Sequence, residues 1–221
     1  MAAPMSVTAA MALAMHVAPG VAPDTLVAFA KHESGLHPYA IGDNTAARSY
    51  FPDTASEAIT IASTLLNAGH RLDMGLLQVS SQHLGRVLPD VKSAFDPAQS
   101  MRIGAIILKD AYRACDGDDA RTSVQVEAAL RCAAARYNTG KNGAVGQAYA
   151  AKVWRVAETF VPSISEVMKK KDFPNAALTN LSAPTEPRRK SPGANILDKQ
   201  EPRHVYAKKA KTSRELVFTT K

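Results

Sequence analysis

Apolar residues in the first 161 positions recur at the three- and four-residue spacing of an α-helix, and this pattern constrains the fold more than any other feature. Helix start signals precede several of these stretches. Thr54 and Glu57 have the spacing of a capping box, and Asp96 stands as an N-cap residue before Pro97. No segment has the sustained alternation that a half-buried strand needs. The sequence therefore predicts a single, all-α domain.

The positive charge of the chain is confined to its last part. Residues 162–221 hold 13 Lys and Arg against six Asp and Glu, whereas residues 1–161 hold 14 of each class. Six of the 13 prolines also lie in this last part. So few apolar side chains cannot offset the entropy cost of ordering the backbone. We therefore expect a folded domain over residues 1–162 and a mostly disordered, Pro-rich basic tail over residues 163–221.

Membrane insertion is not indicated. No apolar run approaches the roughly 20 residues that cross a bilayer, because His16, Pro19, Pro23 and Asp24 interrupt the stretch with the lowest charge. The residues before Lys31 contain no Lys or Arg and so lack the cationic start of a secretory signal. The N-terminus thus does not indicate an export route.

Glu33 is the candidate catalytic residue that periodicity alone singles out. Leu26, Phe29, Ala30 and Glu33 share one helical face, and Gly35 is placed to end the helix. Partial burial and the negative end of the helix dipole both favour a protonated carboxyl, as a general acid requires. The alternative is a helix-terminal glutamate that reaches water.

Three short motifs follow one another along the chain: Glu33-Ser34, Gly75-Leu76-Leu77-Gln78 and Ala135-Arg136-Tyr137-Asn138-Thr139-Gly140. They resemble the Glu-Ser, Gly-Leu-Met-Gln and Ala-Tyr-Asn-x-Gly motifs of the soluble lytic transglycosylases, relatives of goose-type lysozyme. Residues 18–26 and the turn after Gly42 are similar to the subclass found in type IV secretion and conjugation systems. The resemblance covers about residues 12–160 and implies a mainly α, lysozyme-like domain.

That resemblance implies an activity. Such enzymes cleave the β-1,4 bond between N-acetylmuramic acid and N-acetylglucosamine, and Glu33 would act first as the acid and then as the base. The muramyl C6 hydroxyl closes a 1,6-anhydro ring in place of attack by water. The resemblance further implies peptidoglycan glycan strands as substrate, type IV secretion subunits as partners, a periplasmic location and no cofactor.

The resemblance also implies site residues beyond the acid. The residues that correspond to the family's substrate-binding positions are Ser34, Gln78, Tyr137, Asn138 and Tyr149. Many family members have a serine nine positions after the glutamate, where this chain has Gly42, and Asn44 is a candidate for the missing contact. Asp43 is the nearest candidate for a second acid, although its polar turn favours a structural role equally.

Cys115 and Cys132 lie at the end of one predicted helix and within the next, so an antiparallel pair of helices could bring them together. The alternative is a pair of reduced, buried thiols. Because the substrate implied by the motifs lies outside the cytoplasm, we expect a disulfide.

Two other functions remain open at this point: a muramidase that hydrolyses the same bond, and a glycan-binding scaffold that recruits secretion subunits. Metal chemistry is not expected, because His32 and His37 are five residues apart with Gly35 between them and would not share a helical face. Specific nucleic-acid binding is not expected either, because the tail has no closely spaced aromatic residues for stacking.

Overall fold

The computed structural model describes residues 2–159. The proposed tail, residues 163–221, lies outside the described residues. The described part is built mainly from helices: α1 (Val7–Val17), α2 (Pro23–Ser34), α3 (Ala55–Asn67), α4 (Val91–Phe95), α5 (Pro97–Arg113), α6 (Ser123–Thr139) and α7 (Ala144–Glu158). Within this part of the chain, no helix is long and apolar enough to cross a bilayer.

The helix boundaries confirm most of the start and stop signals. Asp96 accepts a hydrogen bond from the Gln99 amide at the start of α5, with Pro97 in the first turn. Thr54 accepts from the Glu57 amide, but the Glu57 carboxylate reaches back to the amide of Asp53 and not to that of Thr54. This helix start is therefore only half of the predicted capping box.

A small antiparallel sheet corrects the expectation of an all-α domain. Its strands are β1 (Ile41–Asp43), β2 (Arg48–Tyr50), β3 (Leu72–Met74) and β4 (Val79–Ser80), in the spatial order β2-β1-β3-β4. Strands of two or three residues are too short to display a period of two. All three residues of both β1 and β3 are also buried, so neither strand alternates.

The core lies around α2, which packs against α1, α5 and α7. Residues 25–30 of α2 are buried on every side, and Leu26 and Phe29 are among the largest fully buried side chains. Gly35 ends this helix with a φ of 65° and donates its amide hydrogen to the Lys31 carbonyl. The last turn of the most buried helix is therefore held in place, and Glu33 lies on it.

A disulfide joins the end of α5 to α6. Cys115 and Cys132 are bonded through their sulfur atoms, with Cα atoms 6.0 Å apart, and no free cysteine is found among the described residues. The bond closes a loop that contains the 3-10 turn Gly117–Asp119. It therefore links two helices that already pack against each other.

Thiol titration tests this bond. After folding under oxidising conditions, the denatured but unreduced protein should expose no free thiol, and the same sample after reduction should expose two. Reduction should lower the free energy of unfolding by about 3 kcal/mol, because the unfolded chain regains the freedom of a loop of this length. Two reactive thiols before reduction would contradict the pairing.

Candidate functional site

Glu33 lies in the last turn of α2 and is half-buried. It borders a cleft of about 320 Å³ that lies between the end of α2 and the sheet. The cleft is lined by Lys31, His32, Glu33, Ser34, Gly35, Ala40, Ile41, Ser49, Phe51 and Gln78. Among these residues only Glu33 carries a carboxyl group, which makes it the one acid of the cleft wall in the part of the chain described.

Tyr149 connects α7 to the glutamate. Its hydroxyl donates a hydrogen bond to Oε1 of Glu33. The tyrosine ring packs edge-on against the His32 ring, with centroids 5.0 Å apart, and leans on Phe29 at 6.2 Å. Because the ring is almost fully buried, its hydroxyl has little freedom to leave the carboxylate.

His32 is an uncharged neighbour of the acid near neutral pH. Burial, and to a smaller extent the positive charge of Lys152, lowers the pKa of His32 to about 4. The imidazole is therefore neutral near pH 7, and it adds no positive charge beside Glu33. Its contribution is the aromatic contact with Tyr149.

Ser34 and Tyr137, both expected to bind substrate, use their hydroxyls within the protein. Ser34 donates to the carbonyls of Leu76, at 2.8 Å, and Ala30, at 3.1 Å. Tyr137 donates to the carbonyl of Leu77 at 2.8 Å and packs edge-on against Phe29. Both side chains thus anchor the two residues that precede Gln78, and Tyr137 is not among the cleft-lining residues.

Gln78 does face the cleft. It follows two buried leucines and has a φ of 46°, an unusual conformation for a residue other than glycine. Its side-chain Nε2 donates to the carbonyls of Ala40, at 3.0 Å, and Gly75, at 2.9 Å, so the orientation of the amide is determined by the backbone. The amide oxygen lies near Gly42, where a Cβ would come within 3.1 Å of it.

Asp43 serves the turn between β1 and β2. Its Oδ1 accepts from the amides of Thr45 and Ala46, and its Oδ2 accepts from His70 Nδ1 at 2.7 Å. Burial raises the pKa of Asp43, but the hydrogen bonds from His70 and the two amides outweigh this and hold it below its usual value. Asp43 is therefore an ionised carboxylate that is engaged by His70 and the turn and is not among the cleft-lining residues.

The two remaining expected residues, Asn44 and Asn138, are not among the cleft-lining residues. Asn44 donates its side-chain amide to Asp73 Oδ2 at 2.9 Å, which turns it toward β3. Asn138 is the penultimate residue of α6 and is half-buried. Of the expected residues, Glu33, Ser34 and Gln78 thus line the cleft, and Tyr149 contacts Glu33 without lining it. The others, Tyr137, Asn138, Asp43 and Asn44, are not among the cleft-lining residues.

Sequence reasoning missed Ser49 and Phe51 as cleft residues. Ser49 belongs to β2, and Phe51 follows that strand with 42% of its surface exposed, its ring packed edge-on against His37. The pairing of β1 with β2 brings both residues to the cleft. Strands of three residues are too short to show an alternating pattern of polar and apolar residues, so the sequence did not predict this pairing. Phe51 is exposed and lines the same cleft as Glu33, which would indicate a binding site. That signal is visible only in the folded structure.

The cleft, the one carboxyl that the described residues contribute to its wall, and the helical frame define a lysozyme-like site. A family model described as "Transglycosylase SLT domain" matches residues 11–158, so the chain belongs to the SLT transglycosylase family. The mainly α fold and the resemblance stated from the motifs are confirmed.

Curated relatives carry type IV secretion names. "Type IV secretion system protein virB1" of Brucella suis biovar 1 is 31% identical over 193 residues, covering 85% of this chain and 79% of the relative. "Protein virB1" of Agrobacterium fabrum is 31% identical over 165 residues, covering 74% of this chain and 65% of the relative. No solved structure gives a significant match.

Proposed function

We propose that this protein is a peptidoglycan lytic transglycosylase that cleaves the β-1,4 bond between N-acetylmuramic acid and N-acetylglucosamine and releases a 1,6-anhydro product. The observation that carries the proposal is Glu33, the one carboxyl among the described residues of the cleft wall, with Tyr149 as its hydrogen-bond donor. Two-carboxylate hydrolysis needs a partner acid about 5–9.5 Å away. Asp43, the candidate partner, has its carboxylate engaged by His70 and the turn.

In the proposed reaction, protonated Glu33 gives its proton to the glycosidic oxygen as the bond to the muramyl C1 breaks. The substrate's own N-acetyl carbonyl stabilises the positive charge that develops at C1. Glu33, now a carboxylate, takes the proton of the muramyl C6 hydroxyl while the C6 oxygen bonds to C1. The glutamate is protonated again at the end, so one carboxyl serves both steps and no water is consumed.

The cleft offers several kinds of contact to a glycan strand. Phe51 presents an exposed aromatic face on which a sugar ring can pack. Gln78 supplies an amide whose orientation is set by two backbone carbonyls. Ser34 and Tyr137, in this proposal, act indirectly by holding the segment that carries Gln78.

Product analysis distinguishes the proposal from muramidase hydrolysis. Digestion of purified sacculi, followed by mass spectrometry, should yield muropeptides with 1,6-anhydro ends, because the C6 hydroxyl replaces water as the acceptor. Products heavier by one water, with reducing ends, would refute transglycosylation. Sacculi incubated with Glu33→Gln protein provide the blank for background cleavage.

We place this activity at the cell wall, where a type IV secretion or conjugation apparatus must pass. The support is the name that the relatives carry, together with the disulfide, which suits the oxidising periplasm. The partners in this proposal are glycan strands and secretion subunits. A scaffold that only binds glycan is the other candidate, and it predicts sacculi that are bound but not shortened.

A further inference from the structure

Strand register places Ser49 beside the cleft in a way that the motifs do not reveal. In the β1–β2 pair, Ser49 stands directly opposite Gly42. Residues opposite each other in an antiparallel pair project their side chains from the same face of the sheet. A side chain at either position would therefore enter the same space, and only position 49 has one.

The space beside Gly42 belongs to the cleft. A Cβ on Gly42 would lie 3.1 Å from Oε1 of Gln78, a cleft-lining residue. Ser49 is itself half-buried and lines the cleft together with Glu33. The bare backbone of Gly42 thus leaves room for Gln78, and the serine hydroxyl comes from the neighbouring strand.

Two further hydroxyls lie near Glu33, and the structure shows what each of them contacts. Ser34 donates to two backbone carbonyls, and Tyr149 donates to Oε1 of Glu33 from the side of α7. Asn44, the residue expected to replace the missing family contact, is turned toward Asp73. Ser49 is the hydroxyl that the sheet contributes to the lining of the cleft that Glu33 borders.

We propose that Ser49 is a positioning residue that donates a hydrogen bond to Oε2 of Glu33, opposite the bond from Tyr149. The inference rests on the proposed role of Glu33 as acid and base. Two donors on opposite walls would fix the plane of the carboxyl group. They would also stabilise its ionised form after the first proton transfer, when it must accept the proton of the C6 hydroxyl.

The test compares Ser49→Ala with Ser49→Thr, which keeps the hydroxyl and suits a strand. Ser80→Ala in β4 is the control, a serine of the same sheet that does not line the cleft. We expect Ser49→Ala to reduce kcat about tenfold, because a hydrogen bond to a charged group is lost. Ser49→Thr should retain most of the activity, and Ser80→Ala all of it.

The pH profile provides a readout that a purely structural serine would not move. A donor to the carboxylate favours its ionised form, so losing the donor raises the pKa of Glu33. The alkaline limb of kcat/KM in Ser49→Ala should therefore move to higher pH by about half a unit. Lys31 and His32 on α2 and Tyr149 and Lys152 on α7 are unchanged in this variant, so the comparison isolates the loss of the serine hydroxyl.

Carboxyl-carbon NMR of Glu33 in the full chain tests the contact without activity. The titration midpoint of that carboxyl should rise in Ser49→Ala and stay in place in Ser80→Ala. An unmoved midpoint together with full activity would overturn the role of Ser49 alone, provided that Glu33→Gln is inactive. Full activity in Glu33→Gln would instead overturn the proposed function.

Discussion

Replacing Glu33 with glutamine should reduce the digestion of sacculi by about a hundredfold to ten-thousandfold, the usual contribution of a general acid and base. An amide has nearly the same shape but cannot transfer the proton that the leaving oxygen and the C6 hydroxyl require. Its carbonyl oxygen can still accept the hydrogen bond from Tyr149. The free energy of unfolding should therefore change little, and the measurement is the rate of muropeptide release at equal protein concentration.

Glu127→Gln is a matched control for this variant. Glu127 lies on α6 and pairs with Arg131 one turn later, N···O 2.7 Å, outside the cleft lining. A partly exposed pair of this kind contributes about 0.3–0.5 kcal/mol, so the control should digest sacculi at the parent rate. Equal rates of muropeptide release for the parent and Glu33→Gln would refute the enzymatic proposal and favour a glycan-binding scaffold.

The sequence allowed prediction of those features that depend on neighbours along the chain. Asp96 and Pro97 start α5, and Gly35 ends α2, because caps and left-handed helix ends act through backbone groups a few residues away. The placement of Glu33 on the apolar face follows from the same local periodicity. These features needed no knowledge of the tertiary fold.

The features that escaped prediction depend on residues far apart in the chain. The cleft position of Ser49 arises from its pairing with Gly42, and the roles of Ser34 and Tyr137 arise from bonds that span 42 and 60 residues. A motif match indicates that such residues matter but not which partner they bind. Contact of Ser34 and Tyr137 with substrate stays a prediction, and what the sequence could not show is that their hydroxyls bond to carbonyls of the segment before Gln78.

The three motifs therefore form one connected unit. Residues from the first and third motifs donate hydrogen bonds to consecutive carbonyls of the second, at Leu76 and Leu77. The second motif in turn carries Gln78 into the cleft beside Glu33. The motifs lie far apart in the sequence, and these two hydrogen bonds span 42 and 60 residues. Their contacts nevertheless converge on a single turn that begins at Gly75.

Gly75→Ala should be among the most destabilising single substitutions in this domain. Gly75 has a φ of 73°, and a Cβ at this position would lie 1.8 Å from the backbone carbonyl oxygen of Ala94 in α4. Backbone atoms cannot yield as a flexible side chain can, so the turn must separate from α4. We expect a loss of about 4 kcal/mol or more in the free energy of unfolding, measured by denaturant titration.

Gly69→Ala separates this steric clash from the conformational cost of the turn. Gly69 has a similar φ of 83°, but a Cβ there would meet nothing within 4 Å. Its replacement should cost only the left-handed strain, about 1–2 kcal/mol. The Gly75 carbonyl accepts hydrogen bonds from the backbone and side-chain amides of Gln78, so a displaced turn would also move Gln78. Any folded Gly75→Ala protein should therefore lose activity, whereas Gly69→Ala should keep it. Equal losses of stability in the two variants would show that contact with α4 does not determine the need for glycine at position 75.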